Sequence, residues 1–128
     1  MAEYLPVYTN GVKPFTATTS AAVIGGRVAA SSATGTVAHA AADSALAVGV
    51  FAHDAASGSR VTIWPLEGIV HELEASGAIA ALAGVVTDAA GQVKTATIAT
   101  AAAAGTLIGH AATTAAGSPL KLRVQGRR

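Results

Sequence analysis

LAVGVFAHDAASGSRVTIWP, residues 46–65, decides the reading of this chain. Leu46, Val48, Val50 and Ala52 alternate with Ala47, Gly49, Phe51 and His53, the period of two that marks a strand. Val61 and Ile63 alternate with Arg60, Thr62 and Trp64 in a second run. Between the runs, residues 54–59 are rich in Asp, Ser and Gly, which suits a turn with Gly58 at positive φ. Pro65 cannot donate to a ladder and ends the second strand or marks an edge. The pair reads as a β-hairpin. It holds the single Trp and one of the two Phe residues, so the core is expected here.

The flanking sequence is built in the same style. Residues 15–20 (FTATTS) alternate with β-branched residues, and residues 22–30 (AVIGGRVAA) read as strand, Gly-Gly turn, strand. Further strands are expected at 36–40, 68–73, 84–88, 92–98, 106–111 and 120–124. Ile69, His71 and Leu73 fall on one side of their strand, with Val70 and Glu72 on the other. Residues 76–82 (SGAIAAL) suit a short helix with Ser76 as N-cap. Residues 99–104 read as helix by propensity and as loop or strand by their Thr-rich surroundings. A faint repeat runs through this order. Ser20 and Ser76, Val23 and Ile79, Gly35 and Gly91, and Val37 and Val93 share an offset of 56 residues. Two readings stand, chance in a biased composition or a duplicated β unit.

The N-terminus differs. Residues 1–13 hold both Tyr residues, and Pro6 stands among bulky apolar groups. Tyr4, Pro6 and Tyr8 share one side of an extended chain, with Leu5 and Val7 on the other. The segment is either a first edge strand or an arm that lies on a neighbour. The expected domain plan is an arm over 1–13 and a β-rich domain over 14–128.

Composition limits the function. The chain has 128 residues and a net charge of +1, so no field gathers nucleic acid. Charged residues make up 12%, about half the usual share, and the 52% hydrophobic content is largely Ala. Such a core is thin, and subunit contacts are expected to add stability. Four basic residues, Lys121, Arg123, Arg127 and Arg128, lie in the last eight positions, as a solvated tail or as a contact for an acidic partner. There is no Cys, and residues 1–11 do not read as a signal peptide. Mean hydropathy is +0.51, yet no run of strongly apolar residues is long enough to span a membrane.

No constellation carries chemistry. His71-Glu72-Leu73-Glu74 opens like the zinc-protease signature but lacks the second His, and in a strand His71 points away from both acids. His53, Asp54, Ser57 and Ser59 supply triad residue types, but all sit in one turn. His39 and His110 stand alone in Ala/Gly contexts. Gly25-Gly26 is followed by Arg27, so no phosphate-binding loop is present. Thr95, Thr97, Thr100 and Thr106 share a composition with ice-binding surfaces but keep no fixed period.

Four stretches, taken as an ordered set, resemble the small capsid decoration (cement) proteins of tailed bacteriophages. They are EYLPVYTNG (3–11), FTATTSAAVIGGRVAAS (15–31), GTVAHAAADSALAVGVFAHDAASGSRVTIW (35–64) and HELEASGAIAALAGVV (71–86). In place of the family's usual Gly-Asp after Ala-Ile-Ala-Ala, this chain has Leu82-Ala83-Gly84. The resemblance implies a mainly β single domain, barrel- or sandwich-like, with an extended N-terminal arm and at most one or two short helices. It implies a virion protein on the outer capsid surface that bridges major capsid subunits, often as a homotrimer, with no enzyme activity and no cofactor. It places the capsid contact on Glu3, Tyr4, Leu5, Pro6, Val7 and Tyr8. Nucleic acid and membrane are not expected partners. A self-assembling β-rich surface module, an ice-binding protein and a hydrolase using His53 and Asp54 are the alternatives.

Overall fold

The computed structural model describes residues 13–116 and 121–126. Ten strands follow in order: β1 (Phe15–Thr19), β2 (Val28–Ala33), β3 (Thr36–His39), β4 (Ala47–Phe51), β5 (Arg60–Pro65), β6 (Val70–Glu74), β7 (Gly84–Thr87), β8 (Val93–Ala96), β9 (Gly109–Ala111) and β10 (Lys121–Gly126). One short helix, α1 (Ile98–Ala104), lies between β8 and β9. The expected arm, apart from Lys13 and so including Glu3 to Tyr8, lies outside the described residues.

Strands β1 to β5 close into a barrel in the order β1-β3-β2-β4-β5. The hairpin forms as its pattern requires, with Val50 opposite Trp64 and Phe51 opposite Ile63. Gly58 takes a φ of +81° and Pro65 is the last residue of β5. Strict alternation fails in β4, however. Gly49 pairs with Ala29 and Ala47 with Ala30, so Val48 is an extra residue in the ladder. Past this bulge, Ala47 and Val50 face one core while Val48 and Phe51 face the other. Both faces are therefore covered. Phe51 is wholly buried inside the barrel with Val23, Ala29, Val37, Val61 and Ile63. Trp64 is only half-buried, because β5 turns Val61 and Ile63 inward.

Strands β6 to β10 form a second sheet in the order β6-β10-β9-β7-β8. Its outer strands meet at one parallel bridge, Ala75 to Val93. This is the counterpart, 56 residues on, of the parallel pair Thr19 to Val37 that closes the barrel. The duplicated-unit reading of the repeat holds in detail. Ser20 N donates to Val37 O at 3.0 Å and Ser76 N to Val93 O at 2.9 Å. Isolated antiparallel bridges join Val23 to Ala55 and Ile79 to Ala115. Four register pairs of β1 with β5, from Thr18–Arg60 to Phe15–Ile63, recur as Glu74–Lys121 to His71–Val124. A single core then joins the outer face of the barrel (Val28, Ala30, Val50, Leu66) to the second sheet (Leu73, Ile79, Val85, Ile108, Leu122, Val124).

The repeat also explains one difference from expectation. Residues 76–82 are not helical: Ile79 exchanges both backbone hydrogen bonds with Ala115 at 2.9 Å, and Leu82 N donates to Ala111 O at 2.7 Å. Hydrogen-bond partners 29 and 36 residues away outweigh a weak local preference. The helix forms instead over 98–104, closed by Gly105 at φ +74°.

Candidate interaction surfaces

The candidate chemical residues are engaged in holding the fold. His53 Nδ1 lies 2.9 Å from Asp54 O, and Thr62 N donates to His53 Nε2 at 3.4 Å. A carbonyl can only accept, so Nδ1 carries the proton. The Asp54 carboxylate accepts from Gly25 N at 2.9 Å, and Ser57 Oγ donates to Ser20 O. His39 Nε2 accepts from Ile24 N, and its ring stands edge-on to Phe51 at 5.8 Å. Burial, and secondly the Arg27 charge, push its pKa down. His110 sits in β9, half-buried. His71 is 1% exposed, and its Nε2 donates to Pro65 O at 2.7 Å. Burial lowers its pKa to about 4, so it is neutral at pH 7 and ties the first strand of the second sheet to the end of the barrel.

Glu72 and Glu74 do not converge with His71. Glu72 is exposed, and Glu74 reaches across the seam to Arg27 at 2.6 Å, with Gln92 Nε2 donating to the same oxygen. Arg27 also donates to Ala90 O at 2.9 Å. A second ion pair, Lys94 to Asp43 at 3.0 Å, crosses the same seam. The sequence carried no sign of these cross-links, because their partners are 47 and 51 residues apart. Among the described residues no three His, Cys, Asp or Glu side chains gather where they could hold a metal ion. No helix of the described residues is long and apolar enough to cross a membrane.

The sequence matches no family model and no curated protein. A crystal structure of the head fiber gp8.5 N base of bacteriophage phi29 matches the fold with a TM-score of 0.65 and 20% identity. The match covers 91% of this chain and 97% of that one. The likeness is one of fold, and it takes in both halves of the chain.

What the described surface offers is contact area. Five large apolar side chains are exposed: Phe15, Ile24, Leu46, Leu82 and Ile98. Phe15 opens β1, directly after the segment expected to be the arm. Leu82 is 75% exposed at a φ of +71°, where its counterpart in the barrel is Gly26 at +84°. Left-handed backbone is costly for a leucine, and here the exposed side chain recovers little packing within the fold. Lys121 and Arg123 are not tail residues: they form the exposed face of β10, opposite Glu74 and Glu72, while Leu122 and Val124 point inward. A cleft of about 270 Å³ lies beside α1, lined by Asp43, Val86, Ala96, Thr100, Ala101 and Thr106 among others.

Proposed function

We propose that this protein is a structural component of a tailed-phage virion, a non-enzymatic module seated on the outer surface of the capsid. One observation carries the reading: the whole-length likeness to a phage head-fiber base, which takes in both β units. The sequence resemblance to capsid decoration proteins points the same way, as do the low charge and the exposed aliphatic side chains.

In this reading the chain bridges major capsid subunits and acts as a homotrimer on the shell. Its action is thermodynamic. A protein that binds only the expanded shell stabilises that state by mass action, repeated at every site. Tyr4, Leu5, Pro6 and Tyr8 supply the principal contact, with Glu3 and Val7 beside them. Buried aromatic anchors typically cost about 2 kcal/mol or more on truncation. Co-sedimentation with undecorated capsids tests the proposal. Binding is expected to weaken about tenfold or more when residues 1–8 are deleted, with the β fold intact by circular dichroism. Failure of the full chain to co-sediment at any salt concentration overturns the reading. A single monomer at each site of a particle map removes the trimer alone.

A second reading is favoured by the matched structure being the base of a fiber. The chain would then anchor an appendage without reinforcing the shell. Heating decorated and bare capsids separates the two. Reinforcement raises the temperature of shell disruption, whereas an anchor leaves it unchanged.

A further inference from the structure

The two β units meet asymmetrically. The β7–β8 tip of the second sheet rests on the outer face of β2 and β3 in the barrel. Gly91 N donates to Ala40 O at 3.0 Å, Arg27 donates to Ala90 O, and Thr87 Oγ1 donates to Ala41 O at 2.8 Å. The fit is close: a Cβ on Gly91 would stand 2.8 Å from Val28 O. The barrel has the counterpart of this tip, residues 31–36, and Gly35 there has the same φ of +74° as Gly91. Residues 31–35 are exposed, and a Cβ on Gly35 would meet nothing within 4 Å. The barrel thus carries an inserting tip that no described residue receives.

The second sheet has the counterpart of the receiving face as well. Arg27, Val28, Ala30, Ala40 and Ala41 correspond to Ala83, Gly84, Val86, Ala96 and Thr97 at the same offset of 56. α1 lies over the β7 side of that face, beside the cleft lined by Val86 and Ala96. The offset rises from 56 before α1 to 60 after it, as in Gly49 and Gly109 or Ala55 and Ala115. The four added residues are what allow a helix where the barrel has a plain loop. Gly84 replaces Val28, and a Cβ there would stand 2.8 Å from Ile98 Cγ1. Ala41 O receives the incoming tip, whereas its counterpart Thr97 O receives Ala101 N from the first turn of α1. Ala101 is 5% exposed.

We propose that α1 is a cap that keeps the 31–36 tip of a second copy of this chain off the β7–β8 face. The contact it blocks is a head-to-tail one, and contacts of that kind grow into open filaments unless they close. Tandem arrays end in the same way, with a terminal element over the face the next unit would use. The inference stands apart from the capsid reading, since it concerns copies of the chain alone.

Replacing residues 97–107 by a copy of residues 41–47 (AADSALA) removes the cap and restores the barrel's connection length. Light scattering is expected to show the mean mass of this chain at least doubling from micromolar to near-millimolar concentration. The parent should hold a constant size over that range. Adding Gly35→Val to the exchanged chain should return it to constant size. A folded exchanged chain of constant size overturns the proposal, and so does growth that ignores Gly35→Val. Ala101→Asp tests the same point at unchanged chain length, by setting a carboxylate beneath the helix. It should give a smaller rise that Gly35→Val again abolishes, and a constant size in this folded variant counts against the cap. If both variants lose their β circular dichroism, α1 belongs to the core of the sheet itself and the proposal fails.

Discussion

The barrel and the second sheet share strand order, register and turn positions, yet they are filled differently. Phe51 fills the barrel among Val23, Ala29, Val37, Val61 and Ile63. Its counterpart in the second sheet is Ala111, and four surrounding positions are larger, Ile79 for Val23, Val85 for Ala29, Leu122 for Val61 and Leu73 for Ala17, against one that is smaller, Val124 for Ile63. One aromatic has been exchanged for several added methylenes. Filled volume, rather than residue identity, is what the two cores have in common. The glycine positions are less tolerant. Gly35 and Gly91 both keep a φ of +74°, and Gly49 and Gly109 both lie where a Cβ would strike a carbonyl of the neighbouring strand, Trp64 O or Gln125 O.

The sharpest break of this comparison is Phe51→Ala, which gives the barrel the small residue of the second sheet without its compensating neighbours. A loss of about 3–5 kcal/mol is expected by denaturant unfolding. A far smaller loss would mean that the barrel collapses around the gap.

Next comes His71, whose barrel counterpart is Phe15. Its folded-state pKa of about 4 lies below the usual 6.5, so the unfolded chain binds the proton more readily. Stability should be complete above pH 6.5 and decline as pH falls towards 4, by on the order of 3 kcal/mol. In His71→Phe that decline should shrink, leaving the part that the lowered pKa of His39 contributes in the same direction, as followed by unfolding at a series of pH values.

The two tip glycines give a smaller contrast. Gly35→Ala costs only the left-handed backbone, about 1 kcal/mol. Gly91→Ala carries the same strain plus contact with Val28 O, and should cost about 1–3 kcal/mol more. Equal losses in paired melts would show that the seam yields. The smallest effect is expected for Leu82→Gly, which restores the residue of the barrel at that position. Relief of the left-handed strain, partly offset by the freedom glycine adds to the unfolded chain, should raise stability by about 0.5 kcal/mol, and a fall of about 1 kcal/mol or more would locate packing for the Leu82 side chain within the fold.

Much of this was legible in the residues. The alternation of 46–52 and 60–64, the turn glycine at 58 and the inward set Ile69, His71, Leu73 all follow from a period of two, which is a local property. The offset of 56 was visible as four matched pairs and proved to be the plan of the whole fold. The aromatic N-terminal segment was visible as well, though the described residues do not include it.

Contacts between distant residues decided the rest. The bulge at Val48 puts that residue on the same side of β4 as Phe51, and β5 turns Ile63 inward and Trp64 away, because a ladder register depends on the partner strand. Residues 76–82 lose their helix to Ala111 and Ala115, and Glu74 turns from a mock metal ligand into the partner of Arg27. Propensity and period act within a few residues, and they placed most of the strands and turns, though not residues 76–82 or the start of α1. Which strands meet, which face each side chain takes, and how a four-residue insertion becomes a helix lying against β7 were settled by the folded arrangement. Those outcomes depend on hydrogen-bond partners and packing surfaces that arrive from dozens of residues away.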